Sequence, residues 1–280
     1  MSDEQPIERL FRLDGRVAVV VGGSGALGGE MARSLARAGA RVAVLGRRLD
    51  ACEAVARAIQ EADGEALGVA VDVLDGESLD RAARTVAQAL GPADILVNAA
   101  GGNLPAATTG PERSFFALDV SAAQTVFATN FTGVLRCCQT FGRQMAEREH
   151  PAGAIVNIAS MAGLRPLTRV GAYAAAKAAV INFTQWLAVN LARECGPAIR
   201  VNAIAPGFFL TEQNRYLLVD AESSAWTARG ETILAHTPMG RFGAPDDLTG
   251  ALLWLTSPAA AFVTGIVVPV DGGFSAFGGV

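Results

Sequence analysis

The sequence predicts an α/β fold, a doubly wound, seven-stranded parallel sheet flanked by helices, on three observations. Short apolar runs alternate with longer helical patterns from end to end. The runs are nearly continuous in Val, Ile and Ala rather than strictly alternating, which is the pattern of strands buried on both faces. The chain has 280 residues, 51% hydrophobic and 18% charged, enough for one sizeable core.

The elements follow in order. RVAVVVGG (16–23), RVAVLG (41–46), ALGVAVDV (66–73) and DILVNAAG (94–101) read as the first four strands. GAIVNIAS (153–160), IRVNAIAPG (199–207) and GIVVPVDGG (265–273) complete the series. Helical patterns occupy 26–39, 50–62, 77–90, 121–148, 171–195 and 246–256. Strands separated by helices, with right-handed crossovers, give the doubly wound order. No repeat, low-complexity tract or linker interrupts residues 1–280, so a single domain is expected. Two longer irregular stretches, 102–120 and 208–240, begin at carboxyl ends of strands, where functional loops gather; the second reads as a substrate loop or lid.

Composition excludes several classes. Net charge is −4 and no basic run exceeds two residues, which argues against a nucleic-acid partner. No stretch of about 18 apolar residues is present, so no membrane span is expected. The opening MSDEQPIERLFRLDG is polar and shows no secretion signal, which points to a cytoplasmic protein. Cys52, Cys137, Cys138 and Cys195 lack metal-ligand spacing and read as reduced thiols. His150 and His236 stand far apart, so neither a metal site nor a His-based hydrolase is expected.

The first strand runs into VGGSGALGG (21–29), where Gly23, Gly25 and Gly28 satisfy G-x-G-x-x-G between a strand and a helix. Glycines let the backbone approach a pyrophosphate while the helix N-terminus offers free N–H groups. Gly22, Ser24, Gly25, Leu27 and Gly28 are therefore candidate dinucleotide contacts. A carboxylate at the end of the second strand would bind the ribose hydroxyls of NAD. Gly46 stands there instead, followed by Arg47 and Arg48. A guanidinium matches a 2′-phosphate, which favours NADP; two solvated arginines beside NAD are the alternative.

One lysine occurs among 23 Lys and Arg residues, Lys177, and it follows one of two tyrosines, Tyr173, by one helical turn. An ammonium beside a phenol favours the phenolate, and a phenol so tuned exchanges protons with an alcohol or ketone. Ser160 closes the fifth strand thirteen residues earlier, and Asn130 lies in TNFTGV of the long helix before that strand.

These pieces together resemble the short-chain dehydrogenase/reductase family, from the glycine turn through Asp72 in VDV, VNAAG (97–101), Asn130, Ser160, Tyr173 and Lys177 to APG with Thr211. The resemblance implies a Rossmann-type fold and an NAD(P)-dependent oxidoreductase. It implies Tyr173 as acid/base, Lys177 tuning the phenol and binding the nicotinamide ribose, Ser160 holding the substrate oxygen, and Asn130 in a water-linked proton path. It also implies cofactor contacts at Asp72 and Val73 near the adenine, at Asn98 and Ala99, at Pro206 and Gly207, and at Thr211 on the carboxamide. Ala26 departs from the pattern, which has glycine there.

The second half, with APGFFLTEQNR and HTPMGRFGAPDDL, is similar to the subgroup of D-mannonate oxidoreductases, or fructuronate reductases. That implies a keto sugar acid as substrate, with Asn103, Arg165, Gln213, Asn214 and Arg215 as candidate contacts beside Ser160. A gluconate-type ketone, a 3-oxoacyl thioester and a non-enzymatic dinucleotide sensor remain as alternatives. The family also implies a homotetramer, and the apolar tail FSAFGGV is expected to dock at a neighbouring subunit.

Overall fold

The computed structural model describes residues 7–212, 214–220 and 223–279. Its strands are β1 (Val17–Val21), β2 (Arg41–Gly46), β3 (Ala66–Ala70), β4 (Ile95–Asn98), β5 (Gly153–Ile158), β6 (Ile199–Pro206) and β7 (Val267–Val270). They form one parallel sheet in the order β3-β2-β1-β4-β5-β6-β7. The chain reverses its direction of growth between β1 and β4, so the crevice for a ligand lies at their carboxyl ends.

Period-two alternation fills both faces of the sheet. Val17, Val19 and Val21 enter one core, while Ala18 and Val20 enter the other. Each fully buried aliphatic side chain of this kind is worth about 1.5–3 kcal/mol against exposure. The first core is closed by α4 (Gly76–Ala89), α6 (Gly133–Ala146) and α8 (Gly171–Glu194), and the second by α2 (Ala26–Arg37), α3 (Leu49–Gln60) and α11 (Thr249–Thr256). The remaining helices are α1 (Ile7–Leu10), α5 (Val120–Phe127), α7 (Met161–Leu164), α9 (Arg215–Leu218) and α10 (Ala228–Ala235).

Six of the seven expected strands run long, and only the second keeps its expected bounds of 41–46. The third, fourth and seventh stop at Ala70, Asn98 and Val270, where the backbone leaves the sheet for the ligand crevice. The single helix expected over 121–148 is three pieces, with a π-helical turn at Ala128–Thr132 between α5 and α6. Asn130 accounts for it locally. Its side-chain Nδ2 donates to the Val126 carbonyl at 2.8 Å, the position an α-helical backbone N–H would use. The 208–240 stretch holds α9 and α10, and its Leu218, Val219 and Ile233 form a small core with Phe242 just beyond it. The tail packs on its own chain: Phe274 meets Phe208 edge-on at 5.1 Å, and Phe277 meets the His236 ring at 6.5 Å.

Candidate active site

The turn from β1 into α2 is a cradle that side chains would close. Gly22 has φ +83°, and a Cβ on it would lie 2.5 Å from the Ala100 nitrogen beyond β4. A Cβ on Gly28 would overlap the Gly22 carbonyl oxygen. Gly25 caps α2 without a side-chain hydrogen bond, so the first-turn N–H groups stay available for an anion. Ala26, where the family pattern has glycine, is exposed on the same wall.

A cavity of about 1,120 Å³ opens there. Gly22, Ser24, Gly25, Leu27, Gly28, Arg47, Asp72, Val73, Ala99, Gly207, Thr211 and Asn214 all line it. The wall therefore fits a dinucleotide: a backbone cradle for phosphate at one end and Arg47 with Arg48 at the other. A Cβ on Gly46 would lie 2.7 Å from Ser24 Oγ and 3.1 Å from Cys52 Sγ, so the space of a side chain at 46 is already filled. Asp72 turns one carboxylate oxygen onto the Leu74 N–H at 2.9 Å.

Asn98 and Pro206 are buried and do not line the cavity. Asn98 Nδ2 donates to Asn157 Oδ1 at 2.8 Å and to Cys138 Sγ at 3.3 Å, and Asn157 Nδ2 donates to Thr184 Oγ1 at 2.9 Å. This chain ties β4, β5, α6 and α8 together behind the site. Asn98 Oδ1 is, among the described residues, the one buried side-chain oxygen or nitrogen without a partner.

Ser160, Tyr173, Lys177 and Asn130 converge beside the cavity. A Cβ on Gly101 would overlap Asn130 Oδ1 and lie 3.3 Å from Lys177 Nζ, so both polar groups close around that glycine. Asn130 is fully buried, donates to the Gly102 carbonyl at 2.7 Å and accepts from the Gly102 N–H at 3.1 Å. Lys177 is buried, donates to the Ile158 carbonyl at 2.7 Å and stands 5.7 Å from the Tyr173 ring centroid. Burial of a cation facing one carbonyl brings its pKa down to about 8. Burial pushes the Tyr173 phenol above its ordinary value, and the hydrogen bond with Ser160 acts the other way. Ser160 and the Lys177 ammonium thus flank this phenol together. Ser160 caps α7, its Oγ accepting the Ala162 N–H at 3.1 Å.

The substrate candidates scatter. Asn103 is exposed and donates to Thr108 Oγ1 at 2.8 Å. The Asn214 amide is spent on its own loop, donating to the Phe209 carbonyl at 2.7 Å and accepting from the Thr211 N–H at 2.8 Å. Arg165 ends α7 and Arg215 opens α9, both exposed. Gln213 lies outside the described residues. Sequence reasoning passed over two other arginines. Arg169, just before α8, has φ +74°, a strained backbone for a side-chain-bearing residue, and its carbonyl accepts the Thr109 N–H at 3.0 Å. Arg229 opens α10, and its guanidinium is drawn below the ordinary value by burial and by the charge of Arg169. Among the described residues neither has an acidic partner. No sequence signal marked either one, since a positive φ is expected of Gly or Asn.

A glycine cradle at the switch point of a parallel sheet, with a phenol, an ammonium and a hydroxyl grouped at the same edge, is the layout of a dinucleotide-dependent oxidoreductase. Comparison with known proteins agrees and is more specific: the chain belongs to the short-chain dehydrogenases, whose family model matches residues 16–221. It is an oxidoreductase acting on CH–OH groups. It is 49% identical over 277 residues to an uncharacterized oxidoreductase of Bacillus subtilis (strain 168), covering 96% of this chain and 98% of that one. A crystal structure provisionally described as a D-mannonate oxidoreductase from Haemophilus influenza, with bound NAD, is 40% identical, with a TM-score of 0.90 over 98% of this chain and 100% of the other. A gluconate 5-dehydrogenase from Burkholderia cenocepacia J2315, in complex with NADP and tartrate, is 32% identical, with a TM-score of 0.86 over 97% and 100%. No helix among the described residues is long and apolar enough to cross a membrane.

Proposed function

We propose that the protein uses NADPH to reduce the ketone of a sugar acid, with D-fructuronate and D-mannonate as the ketone and alcohol. The observation that carries the chemistry is the grouping of Tyr173 with Ser160 and with a Lys177 ammonium 5.7 Å from its ring. When bound, the nicotinamide supplies the hydride. Tyr173 Oη gives its proton to the carbonyl oxygen as the carbon is reduced. Ser160 Oγ already accepts the Ala162 N–H, which leaves its own O–H to donate to the same oxygen as negative charge develops. Lys177, held by the Ile158 carbonyl, keeps its charge beside the phenolate left behind. Asn130 fixes the backbone at Gly102 next to that ammonium.

NADP is favoured because glycine stands at 46, where a ribose-binding acid would be expected, and Arg47 and Arg48 are exposed on the wall. The sugar-acid reading rests on likeness along the whole chain to the D-mannonate oxidoreductase structure and on Arg169 and Arg229, neighbouring cations without an acidic partner among the described residues. Assay of purified protein with NADPH and NADH against a panel of keto sugar acids tests it. Turnover of D-fructuronate above all others is expected; turnover confined to gluconate-type ketones or 3-oxoacyl thioesters would replace it.

Self-association as a homotetramer belongs to the same proposal. Trp186 and Val189 of α8 are each 58% exposed, and Phe127, Phe131, Phe183 and Trp186 form an aromatic row across α5, the π turn and α8. A two-fold mate of the same helices would cover it. Light scattering at the 28.9 kDa monomer mass would refute this.

A further inference from the structure

We propose that α7 is a strut that holds the Ser160 hydroxyl in register with Tyr173, and that Gly163 is the positioning residue that seats it. The proposal rests on the proton-transfer reading above. Helix α7 is one turn long, and its N-cap is Ser160. Wherever α7 sits, the Ser160 hydroxyl goes with it, because the Ala162 N–H holds Oγ at 3.1 Å. The seat is backbone on backbone. A Cβ on Gly163 would lie 2.7 Å from the Lys177 carbonyl carbon, 2.8 Å from its oxygen and 2.9 Å from the Ala178 nitrogen.

These atoms belong to the backbone of α8, so no rotamer change can relieve the overlap. Any side chain at 163 must push α7 away from the helix that carries Tyr173 and Lys177. The same contact closes a triangle, since Lys177 Nζ reaches back to the Ile158 carbonyl two residues before Ser160. Gly171, at the start of α8, provides a matched contrast: a Cβ there meets nothing within 4 Å.

Three variants test the strut, assayed with NADPH and D-fructuronate, or with whichever ketone of the panel is turned over fastest. Gly163→Ala is expected to lower kcat about 10–100-fold, the scale of a misplaced reacting group, with the Kd for NADPH changed less than about threefold. Its kcat/KM–pH profile, which reports the free enzyme, is expected to move to higher pH, because the displaced Ser160 no longer eases ionisation of the phenol before substrate binds. Gly171→Ala is expected to keep kcat within about twofold. Ala162→Gly adds no bulk and loosens the turn, and is expected to lose about three- to tenfold in kcat, again with cofactor affinity kept. Normal kcat and pH profile in Gly163→Ala would overturn the proposal. If that variant does not melt cooperatively, Ala162→Gly decides, and normal kcat there overturns it equally. Tyr173→Phe, run alongside, separates the two failures. Turnover that survives in it breaks the proton-transfer reading, whereas an inactive Tyr173→Phe beside a normal Gly163→Ala breaks the strut alone.

Discussion

The glycine wall of the cavity and the loop at 208–240 are built on opposite principles. Around β1, β2 and α2 the wall is made by leaving side chains out: Gly22 clears Ala100, Gly28 clears the Gly22 carbonyl, and Gly46 clears Ser24. In 208–240 the chain is shaped instead by side chains that tie loops to backbone, such as Asn214 to the Phe209 carbonyl and Thr227 to the Leu217 carbonyl. A backbone cradle tolerates almost no variation in shape, because every alternative residue collides. A loop tied by side chains can be rebuilt residue by residue, which is how one fold serves many substrates. Beside the cavity lie Ser160, Tyr173 and Lys177, fixed by backbone at Gly163 and by side chains at Asn130 and Lys177 that close around Gly101.

The largest effect is expected in this group beside the cavity. Tyr173→Phe removes the proton donor and leaves the cradle intact, so kcat should fall by ~10²–10⁴ while NADPH still binds. Stopped-flow single turnovers together with fluorescence titration check both parts. Loss of cofactor binding along with turnover would mean the cradle and the group beside it are not separable in this way.

Lys177 tests the same group through stability. Its pKa falls from 10.5 to about 8 on burial, so the unfolded chain holds more protons between those values. Stability attributable to the neutral amine is present above about pH 10.5 and is lost as pH falls toward 8, below which the dependence levels off. Against Lys177→Met, which cannot titrate, the wild-type protein should lose about 3 kcal/mol of relative stability over that range, at about 1.4 kcal/mol per pKa unit. Urea melts across pH 7–11 measure it. A flat difference would show that the ammonium is better solvated than its burial indicates.

The contrast also explains what could be read from sequence. All seven strands and the glycine turn were legible, because burial on both faces leaves continuous Val, Ile and Ala runs and because a cradle demands glycine. The grouping of Ser160, Tyr173 and Lys177 followed from spacing on one helix and one strand end. Three kinds of feature were not legible. Asn98 looked like a cofactor contact but serves the core through Asn157, a partner 59 residues away. The π turn at Asn130 depends on a side chain replacing a backbone donor, which no helical periodicity reveals. Arg169 combines a left-handed backbone with a carbonyl that accepts the Thr109 N–H of the 102–120 loop, a long-range contact with no local signal.

A smaller effect should separate the two ends of the cofactor wall. Arg47→Ala is expected to raise KM for NADPH about tenfold and leave NADH nearly unchanged, the size of one charge-assisted hydrogen bond. Equal effects on both, or indifference to NADPH from the start, would remove NADP from the proposal and leave Arg47 a solvated side chain.

The smallest expected effect falls in the loop at 208–240 and asks whether loop side chains choose the substrate. Arg229 comes from α10 and Arg169 from the catalytic loop, and the two cations repel with no acid to relieve them among the described residues. Repulsion of that kind costs the free protein energy that a bound carboxylate returns, so the pair should discriminate between acids and neutral sugars. Arg229→Gln keeps a polar, hydrogen-bonding side chain and removes the charge. KM for a keto sugar acid should rise about three- to tenfold, while KM for a neutral ketose and kcat for either stay close to wild type. The salt dependence of KM for the acid should weaken in step, since part of the attraction being screened is gone. If KM rises equally for acid and neutral ketose, Arg229 supports the packing of α10 rather than supplying charge, and the carboxylate must be met by another residue.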